Sequence, residues 1–254
     1  MERFYVAPEA MSEREALITE EEWKHLSNVL RLKAGDRVEV FDGKGRGYTG
    51  RLADLERSQA RVALESPVQA ARDSGLRICL GQAIPKGERM EWIVQKATEL
   101  GVDAIQPLAL SRCVVRLDGE RKRRDRQGRW QKIALEAAKQ CGRLTIPEVM
   151  YPLGLDEFLQ RIRPQDLFLI PWEEGGQPLK AFFADTGDFA STGGTEQRGV
   201  VVMIGPEGGI EKEEMEACRY AGGRALTLGP RILRTDTAGL MILSVLQVQW
   251  GDMG

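Results

Sequence analysis

Two short apolar segments near the C-terminus each end in glycine and proline, and they constrain the fold more than any other feature. Val200–Ile204 leads into Gly205–Gly209 (Gly-Pro-Glu-Gly-Gly), and Ala225–Leu228 leads into Gly229–Arg231 (Gly-Pro-Arg). Apolar runs that stop at glycine are typical of buried parallel strands leading into a loop at a ligand-binding edge. Glycine lets a ligand approach the backbone closely, and proline fixes the adjacent turn. The sequence therefore predicts one small-molecule pocket formed by two neighbouring loops.

The region after residue 75 alternates between predicted strands and helices. This order predicts a mostly parallel α/β sheet with helices on both faces. The last helix is apolar around nearly its whole circumference, which is typical of a helix deep in a core or packed against another chain; we favour a subunit interface. The predicted strands cover 76–83, 104–108, 167–170, 200–204 and 225–228, and the predicted helices cover 88–100, 130–141, 211–221 and 237–249.

The first 70 residues are rich in predicted strands and favour a small barrel. Strands are predicted at 36–41, 48–52 and 59–64, the first two separated by a turn. A helix is predicted over Glu20–Leu30, where Thr19 and Glu22 form a capping-box pattern. Residues 66–75 lose the periodicity and are the predicted linker. The expected domains are therefore 1–70 and 74–254.

The few cysteines and the single histidine argue against several kinds of site. Cys79, Cys113, Cys141 and Cys218 are scattered and form no C-x-x-C pair, and His25 is the only histidine. This pattern argues against a metal site and a disulfide framework, so we expect buried free thiols. A histidine-activated nucleophile would have to use His25, far from the glycine loops in sequence, so hydrolase chemistry is set aside.

The charge pattern bears on location and partners. Charges interrupt every apolar run, and the N-terminus lacks the features of a signal peptide, so a cytosolic protein without a membrane span is expected. The net charge of -2 indicates no global basic field. Residues 121–129 nevertheless contain six basic residues and one acidic residue. Such a run can bind phosphates or form a solvated, mobile loop.

The loop composition excludes two common nucleotide-binding motifs. Neither G-x-G-x-x-G nor G-x-x-x-x-G-K-[ST] is present at the glycine loops. Glu207 would repel an anionic ligand, so a neutral or cationic ligand fits better. S-adenosylmethionine, with its positive sulfonium, is one ligand that fits such a loop, and the loop residues do not single it out.

The two loops resemble the signature motifs of RsmE-type enzymes. The motifs are Gly205–Gly209 and Leu228–Arg234, and further blocks at 25–32, 35–36, 41–43, 96–102 and 136–143 match in the same order. The resemblance implies S-adenosylmethionine-dependent methylation of N3 of one uridine in 16S ribosomal RNA of the small subunit, by a homodimer. The implied fold is a PUA-like β-barrel RNA-binding domain followed by a SPOUT-type parallel α/β sheet with a C-terminal trefoil knot. In one departure, Asp236 stands where the family usually has glutamate, which leaves the role of that acid open.

The resemblance implies the site residues. Loss of the N3 proton requires a base or stabilisation of the resulting anion. Arg231 and Arg234 are the catalytic candidates for stabilising that anion or holding phosphate, and pairing with surface acids is the alternative for both. Asp236 is a candidate base, although we favour a helix N-cap for it; Glu207 is equally ambiguous, and no base is assigned. The predicted cofactor-binding residues are Leu169, Ile170, Pro171, Ile204, Gly205, Pro206, Glu207, Gly208, Gly209, Leu228, Gly229, Pro230, Ile232 and Leu233.

Basic residues outside the pocket are the RNA-binding candidates. The alternative is a solvated hairpin for those in the predicted barrel and a solvated, mobile loop for those in the run at 121–129. They are Arg31, Lys33, Lys44, Arg46, Arg112, Arg116, Arg121, Lys122, Arg123 and Arg124.

Two other functions stay open. A non-catalytic RNA-binding ribosome-assembly factor has no need of two glycine loops, so an intact cofactor pocket argues against it. A methyltransferase of the same fold acting on another RNA is poorly separated by sequence, because target choice depends on surface shape and charge.

Overall fold

The computed structural model describes residues 1–68, 75–117, 119–187, 189 and 198–253, and the chain divides into two compact units. The first unit comprises Met1–Asp73 with Leu135–Ile146, and the second comprises Ser74–Ala134 with Pro147–Gly254. The predicted domain limits, 1–70 and 74–254, stay a prediction.

The strands are β1 (Glu2–Tyr5), β2 (Glu15–Thr19), β3 (Arg37–Phe41), β4 (Gly47–Leu55), β5 (Gln59–Pro67), β6 (Arg77–Ala83), β7 (Ala104–Leu108), β8 (Glu148–Val149), β9 (Leu167–Pro171), β10 (Gln177–Pro178), β11 (Gly199–Ile204) and β12 (Arg224–Thr227). The α-helices are α1 (Glu20–Lys24), α2 (Arg89–Glu99), α3 (Glu120–Cys141), α4 (Leu155–Leu159), α5 (Leu179–Thr186), α6 (Lys212–Tyr220) and α7 (Thr235–Trp250).

The first unit is a curled five-stranded sheet around one apolar core. The strand order is β1-β3-β4-β5-β2; β1 and β3 are parallel and the other pairs are antiparallel. Alternate residues of these strands, among them Phe4, Ile18, Val38 and Val62, are fully buried. Strands β3, β4 and β5 agree with the predicted ones, whereas β1 and β2 were not predicted.

The N-terminal helix differs from its prediction. Helix α1 ends at Lys24 and continues as a π-helix over His25–Leu30. The side chain of Thr19 makes no capping hydrogen bond, and the Glu22 carboxylate instead accepts a hydrogen bond from Lys139 Nζ at 2.7 Å. Burial raises the pKa of Glu22, and the Lys139 ammonium opposes that shift. The predicted capping box is therefore wrong, because Glu22 pairs with a distant lysine.

A buried aspartate organises the turn between β3 and β4. The carboxylate of Asp42, 2% exposed, accepts hydrogen bonds from the amides of Lys44 and Arg46 at 2.8 and 3.0 Å and from Arg46 Nε at 2.7 Å. The same turn bonds to residues 144–146, through Gly45 N to Leu144 O and Ile146 N to Gly43 O. Burial alone would raise the pKa of Asp42, but the hydrogen bonds to its charged form outweigh that effect and lower the pKa.

We expect Asp42→Asn to lower the free energy of unfolding by about 1–3 kcal/mol at pH 7, because the amide places N–H groups against the Arg46 guanidinium and the backbone donors. The folded-state pKa of Asp42 is depressed. Its contribution is therefore complete above the unfolded pKa of about 4 and is lost as pH falls through the folded pKa. Urea unfolding at pH 7 and in acid measures this, and the gap between wild type and variant should narrow in acid. Asp54→Asn, at an exposed carboxylate, is the control; an equal effect of both variants would contradict the prediction.

The second unit contains a seven-stranded sheet in which every pair is parallel. The strand order is β10-β12-β9-β11-β6-β7-β8, and each residue of the central β11 is buried. Val201 and Met203 of β11 share an apolar cluster with residues of α4 and α6. On the opposite face, Ile204 contacts α7, where a Cβ on Gly239 would lie 3.6 Å from its side chain. The predicted parallel α/β sheet with helices on both faces is confirmed.

The basic run at 121–129 lies inside a helix. Helix α3 begins at Glu120 rather than at the predicted residue 130. Arg124 pairs with Glu120 at 2.6 Å, and Arg121 lies 3.9 Å from Asp125. These i,i+4 pairs favour a helical first half. The mobile-loop alternative is therefore wrong.

The predicted linker is wrong at Ser66–Pro67, which belong to β5, and its residues 69–74 lie outside the described residues. All four cysteines are free thiols, with Cys113 and Cys218 buried and the others partly so. Burial raises the pKa of both Cys79 and Cys218 to about 12. Within the described ranges no helix is long and apolar enough to cross a bilayer.

Candidate functional site

A cavity of about 410 Å³ opens at the carboxyl ends of β9, β11 and β12. Because these strands are parallel, the loops that follow them meet at the same edge of the sheet. Eleven of the fourteen predicted pocket residues line it, namely Pro171, Ile204, Gly205, Pro206, Glu207, Gly209, Leu228, Gly229, Pro230, Ile232 and Leu233. The two glycine loops therefore share one cavity.

Three of the predicted pocket residues do not line this cavity. Leu169 and Ile170 are fully buried inside β9, below its carboxyl end. Gly208 faces Arg112, and a Cβ on this glycine would lie 3.2 Å from the Arg112 Cβ. The cavity wall next to β9 is formed instead by Pro171, Trp172 and Glu173.

Two glycines fit the loop geometry for different reasons. Gly229 has φ +117°, a conformation that residues with a side chain rarely adopt, and a Cβ there would meet no described atom within 4 Å. Gly205 faces the opposite constraint, since a Cβ there would lie 2.7 Å from Ile210 Cγ1. The second loop thus depends on backbone freedom and the first on close packing.

The carboxylate of Glu207 is paired with the region around the start of α2. Its Oε1 accepts a hydrogen bond from the Lys86 amide at 3.0 Å and one from Arg89 Nη1 at 3.1 Å. The pairing ties the first glycine loop to the start of α2 and offsets the negative charge beside the cavity. Arg89 itself lines the cavity, and sequence reasoning missed it because it lies far from both loops along the chain.

The catalytic candidates occupy different positions. Arg231 and Arg234 both line the cavity and are exposed. Asp236 does not line it; helix α7 begins at Thr235 with Arg234 as the N-cap, so the favoured N-cap interpretation of Asp236 is wrong. The Asp236 carboxylate accepts a hydrogen bond from Thr237 N at 2.9 Å. It lies in the first turn of α7, where a negative charge interacts favourably with the helix dipole.

The cavity also contains residues that sequence reasoning missed. Trp172 and Glu173 directly follow β9, so extending that prediction by two positions would have included them. Thr227, Thr235 and Ala238 adjoin the second loop. The hydroxyl of Thr235 donates a hydrogen bond to Gly205 O at 2.6 Å, which connects the two loops.

The RNA-binding candidates are distributed over both units. In the first unit Arg31, Lys33 and Lys44 are exposed, whereas Arg46 pairs with Asp42. In the second unit Arg116 and Arg121 are exposed, and Arg124 pairs with Glu120.

Three other basic RNA-binding candidates donate hydrogen bonds to backbone carbonyl oxygens. Arg112 Nη1 donates a hydrogen bond to Gly208 O at 2.9 Å, which links it to the first glycine loop. Lys122 Nζ donates to Arg116 O and Arg123 Nε to Leu117 O, both at 3.0 Å. These contacts brace the first glycine loop and the segment before α3.

No group of three or more histidine, cysteine, aspartate or glutamate residues that suits a metal ion occurs in the described part of the chain. The polar groups of the cavity lining are backbone amides and carbonyls together with the side chains of Arg89, Glu173, Glu207, Thr227, Arg231, Arg234 and Thr235.

Comparison with known proteins gives matches along most of the chain. A family model described as an RNA methyltransferase domain matches residues 72–247, and one described as an RNA methyltransferase PUA domain matches residues 18–65. The ribosomal RNA small subunit methyltransferase E of Bacillus subtilis (strain 168) is 32% identical over 254 residues, covering 98% of this chain and 97% of that protein.

Solved structures agree along the full length. A crystal structure of ribosomal RNA small subunit methyltransferase E from Neisseria gonorrhoeae, bound to S-adenosyl methionine, is 37% identical with a TM-score of 0.86 and covers 100% of both chains. A putative methyltransferase from Legionella pneumophila, in complex with the same cofactor, is 34% identical with a TM-score of 0.83 and covers 98% of both chains. The predicted α/β fold with an N-terminal PUA domain and the predicted family are confirmed. The chain belongs to the ribosomal RNA small subunit methyltransferase E family.

Proposed function

We propose that this protein transfers the methyl group of S-adenosylmethionine to N3 of a uridine in 16S ribosomal RNA. The observation that carries the proposal is the single cavity formed by the two family loops. It is supported by the cofactor-bound structures of similar proteins from Neisseria gonorrhoeae and Legionella pneumophila.

The residues around the cavity suit this cofactor. Its volume of about 410 Å³ lies in the range of small-molecule sites. The glycines at 205, 209 and 229 leave backbone amides and carbonyls accessible to an adenosine group. Glu173, an exposed carboxylate in the lining, is compatible with the positive sulfonium. The eleven predicted cofactor residues that line the cavity are assigned this role. Leu169 and Ile170 support the wall from within β9, and Gly208 accepts the hydrogen bond from Arg112 that braces the first loop.

The chemistry requires a nucleophilic nitrogen, and the bound cofactor supplies an electrophilic methyl group. Removing the N3 proton places negative charge on the uracil ring. Arg231 and Arg234 are assigned to stabilise that charge, because both line the cavity and neither forms an ion pair with another described residue. Asp236 stays a candidate base, at one position beyond the start of α7.

The proposal also covers the roles of the two domains, the RNA contacts, the location and the oligomeric state. Residues 1–70 act as the PUA-like RNA-binding domain and 74–254 as a SPOUT-type methyltransferase domain whose C-terminal part forms a trefoil knot. The ten basic residues predicted from the sequence contact the RNA. The protein acts in the cytoplasm as a homodimer, for which the 60% exposed Val248 on the apolar α7 offers contact surface.

The test combines cofactor binding with methyl transfer. Calorimetric titration with S-adenosylmethionine should show binding, and incubation with small subunits lacking the modification should incorporate one methyl group per subunit. A methyl group on N3 blocks Watson–Crick pairing, so reverse transcription should stop at the modified uridine. Cofactor binding without transfer to small subunits, but with transfer to another RNA, would redirect the proposal to a different target. No cofactor binding by the folded protein, with or without RNA, would favour the assembly-factor alternative.

A further inference from the structure

A buried chain of hydrogen bonds lies under the cavity floor. Gln82, at the carboxyl end of β6, has no solvent exposure, and Thr235, the first residue of α7, is 6% exposed. Gln82 Nε2 lies 3.0 Å from Thr235 Oγ1, which lies 2.6 Å from Gly205 O. These two hydrogen bonds thus join the central sheet, the start of α7 and the first glycine of the first loop.

The directions of these bonds are determined by their chemistry. Gln82 Nε2 is a donor, so Thr235 Oγ1 accepts from it. A carbonyl oxygen accepts only, so the single Thr235 proton points to Gly205 O. The hydroxyl therefore uses both its donor and an acceptor function, and neither valine nor alanine can replace it.

The close approach of α7 supports this arrangement. Gly239, one turn into α7, has no side chain, and a Cβ there would lie 3.3 Å from Gln82 Oε1. The glycine lets the start of the helix pack directly on the Gln82 amide. Burying an amide is costly unless it is hydrogen-bonded, and Gln82 Nε2 donates to both Thr235 Oγ1 and Ala83 O.

We infer that Thr235 is a positioning residue that fixes the separation of the two glycine loops and so sets the shape of the cofactor pocket. Loop 228–234 ends at Thr235, and the other loop begins at Gly205, so one hydroxyl connects them. This inference rests on the proposed function, since it concerns the same cavity.

The test measures S-adenosylmethionine affinity by calorimetry in single variants. Thr235→Val keeps the side-chain shape but removes both hydrogen bonds, and a loss of affinity of about tenfold is expected. Thr235→Ser restores the hydroxyl and should return the affinity to within about twofold of wild type. Gln82→Met removes the bond to Thr235 and the Gln82 Nε2 bond to Ala83 O (2.9 Å) but keeps the bond from Thr235 to Gly205, and it should cost less. Because the two residues share one chain of bonds, the double variant should lose less than the sum of the single changes.

Thr98→Val is the matched control. Thr98 is fully buried in α2, and its hydroxyl donates to Val94 O at 2.8 Å, away from the cavity lining. The same chemical change there should lower the unfolding temperature without altering cofactor affinity. This control separates a loss of pocket shape from a general loss of stability.

The outcomes distinguish the inference from the proposed function. Wild-type affinity in folded Thr235→Val, or an equal loss in Thr98→Val, would overturn the positioning role and leave the proposed function intact. If Thr235→Val does not fold, Gln82→Met carries the test, because it breaks the bond to Thr235. Wild-type affinity in folded Gln82→Met would then overturn the positioning role. Absence of binding by the wild-type protein would instead contradict the proposed function.

Discussion

Replacing Gly229 with valine should weaken S-adenosylmethionine binding by roughly 10- to 100-fold while the protein stays folded. Gly229 has φ +117°, and valine cannot hold that backbone conformation without strain of about 1–3 kcal/mol. A Cβ at this position would meet no described atom within 4 Å, so the effect comes from the backbone and not from a clash. The loop should relieve the strain by rotating its peptide groups, and those groups line the cavity. Calorimetric titration measures the affinity, and circular dichroism checks the fold.

Gly222→Val provides the control for this experiment. Gly222 lies in the turn between α6 and β12, has φ +87° and likewise leaves open space for a Cβ among the described atoms. It does not line the cavity. The same substitution should therefore impose comparable backbone strain without changing cofactor affinity. Equal affinity losses in both variants would show that the effect is general destabilisation.

Replacing both Arg231 and Arg234 with methionine should slow methyl transfer by roughly 10²- to 10³-fold, while cofactor affinity changes little. Both side chains line the cavity and are exposed, and the structure gives neither an ion pair with another described residue. Methionine keeps much of the apolar stem but removes the positive charge that would stabilise a uracil anion. Single-turnover methylation of small subunits gives the rate, and calorimetry gives the affinity.

Arg224→Met is the charge-matched comparison. Arg224 is exposed at the start of β12, at the opposite end of that strand from the cavity loop. Its loss should leave the single-turnover rate near that of wild type. A double variant of Arg231 and Arg234 that methylates at the full rate would exclude both guanidinium groups from the chemical step.

The glycine loops were predictable because their chemistry is local. An apolar run followed by glycine and proline identifies the end of a buried strand from neighbouring residues alone. In a parallel sheet, such strand ends lie at the same edge. The same reasoning gave β6, β7, β9, β11 and β12 of the second unit and most of its longer helices, whereas the short elements β8, α4, β10 and α5 were not predicted. The parallel sheet and the outline of the cavity therefore followed from short stretches of sequence.

The features that sequence reasoning missed depend on distant partners. Thr235 owes its environment to Gln82, 153 residues away along the chain, and the Glu22 partner Lys139 is 117 residues away. The start of α3 was missed for a different reason, since a dense basic run containing Gly128 is also typical of a solvated loop. Its helical form is stabilised by pairs such as Arg124 with Glu120 and by Arg129 with Glu91 of α2.

The first unit is discontinuous in the chain, and this has a consequence for protein synthesis. Its curled sheet comes from the first 73 residues, but Leu135–Ile146 also belong to it. Residues 144–146 bond to the β3–β4 turn, and Lys139 is the partner of the partly buried Glu22. The N-terminal part of a chain emerges from the ribosome first, so the β-strands of the first unit emerge before these partner residues are synthesised. About sixty residues of the second unit, between Asp73 and Leu135, must be synthesised before the last contacts of the first unit can form. A fragment ending at residue 73 would lack them permanently.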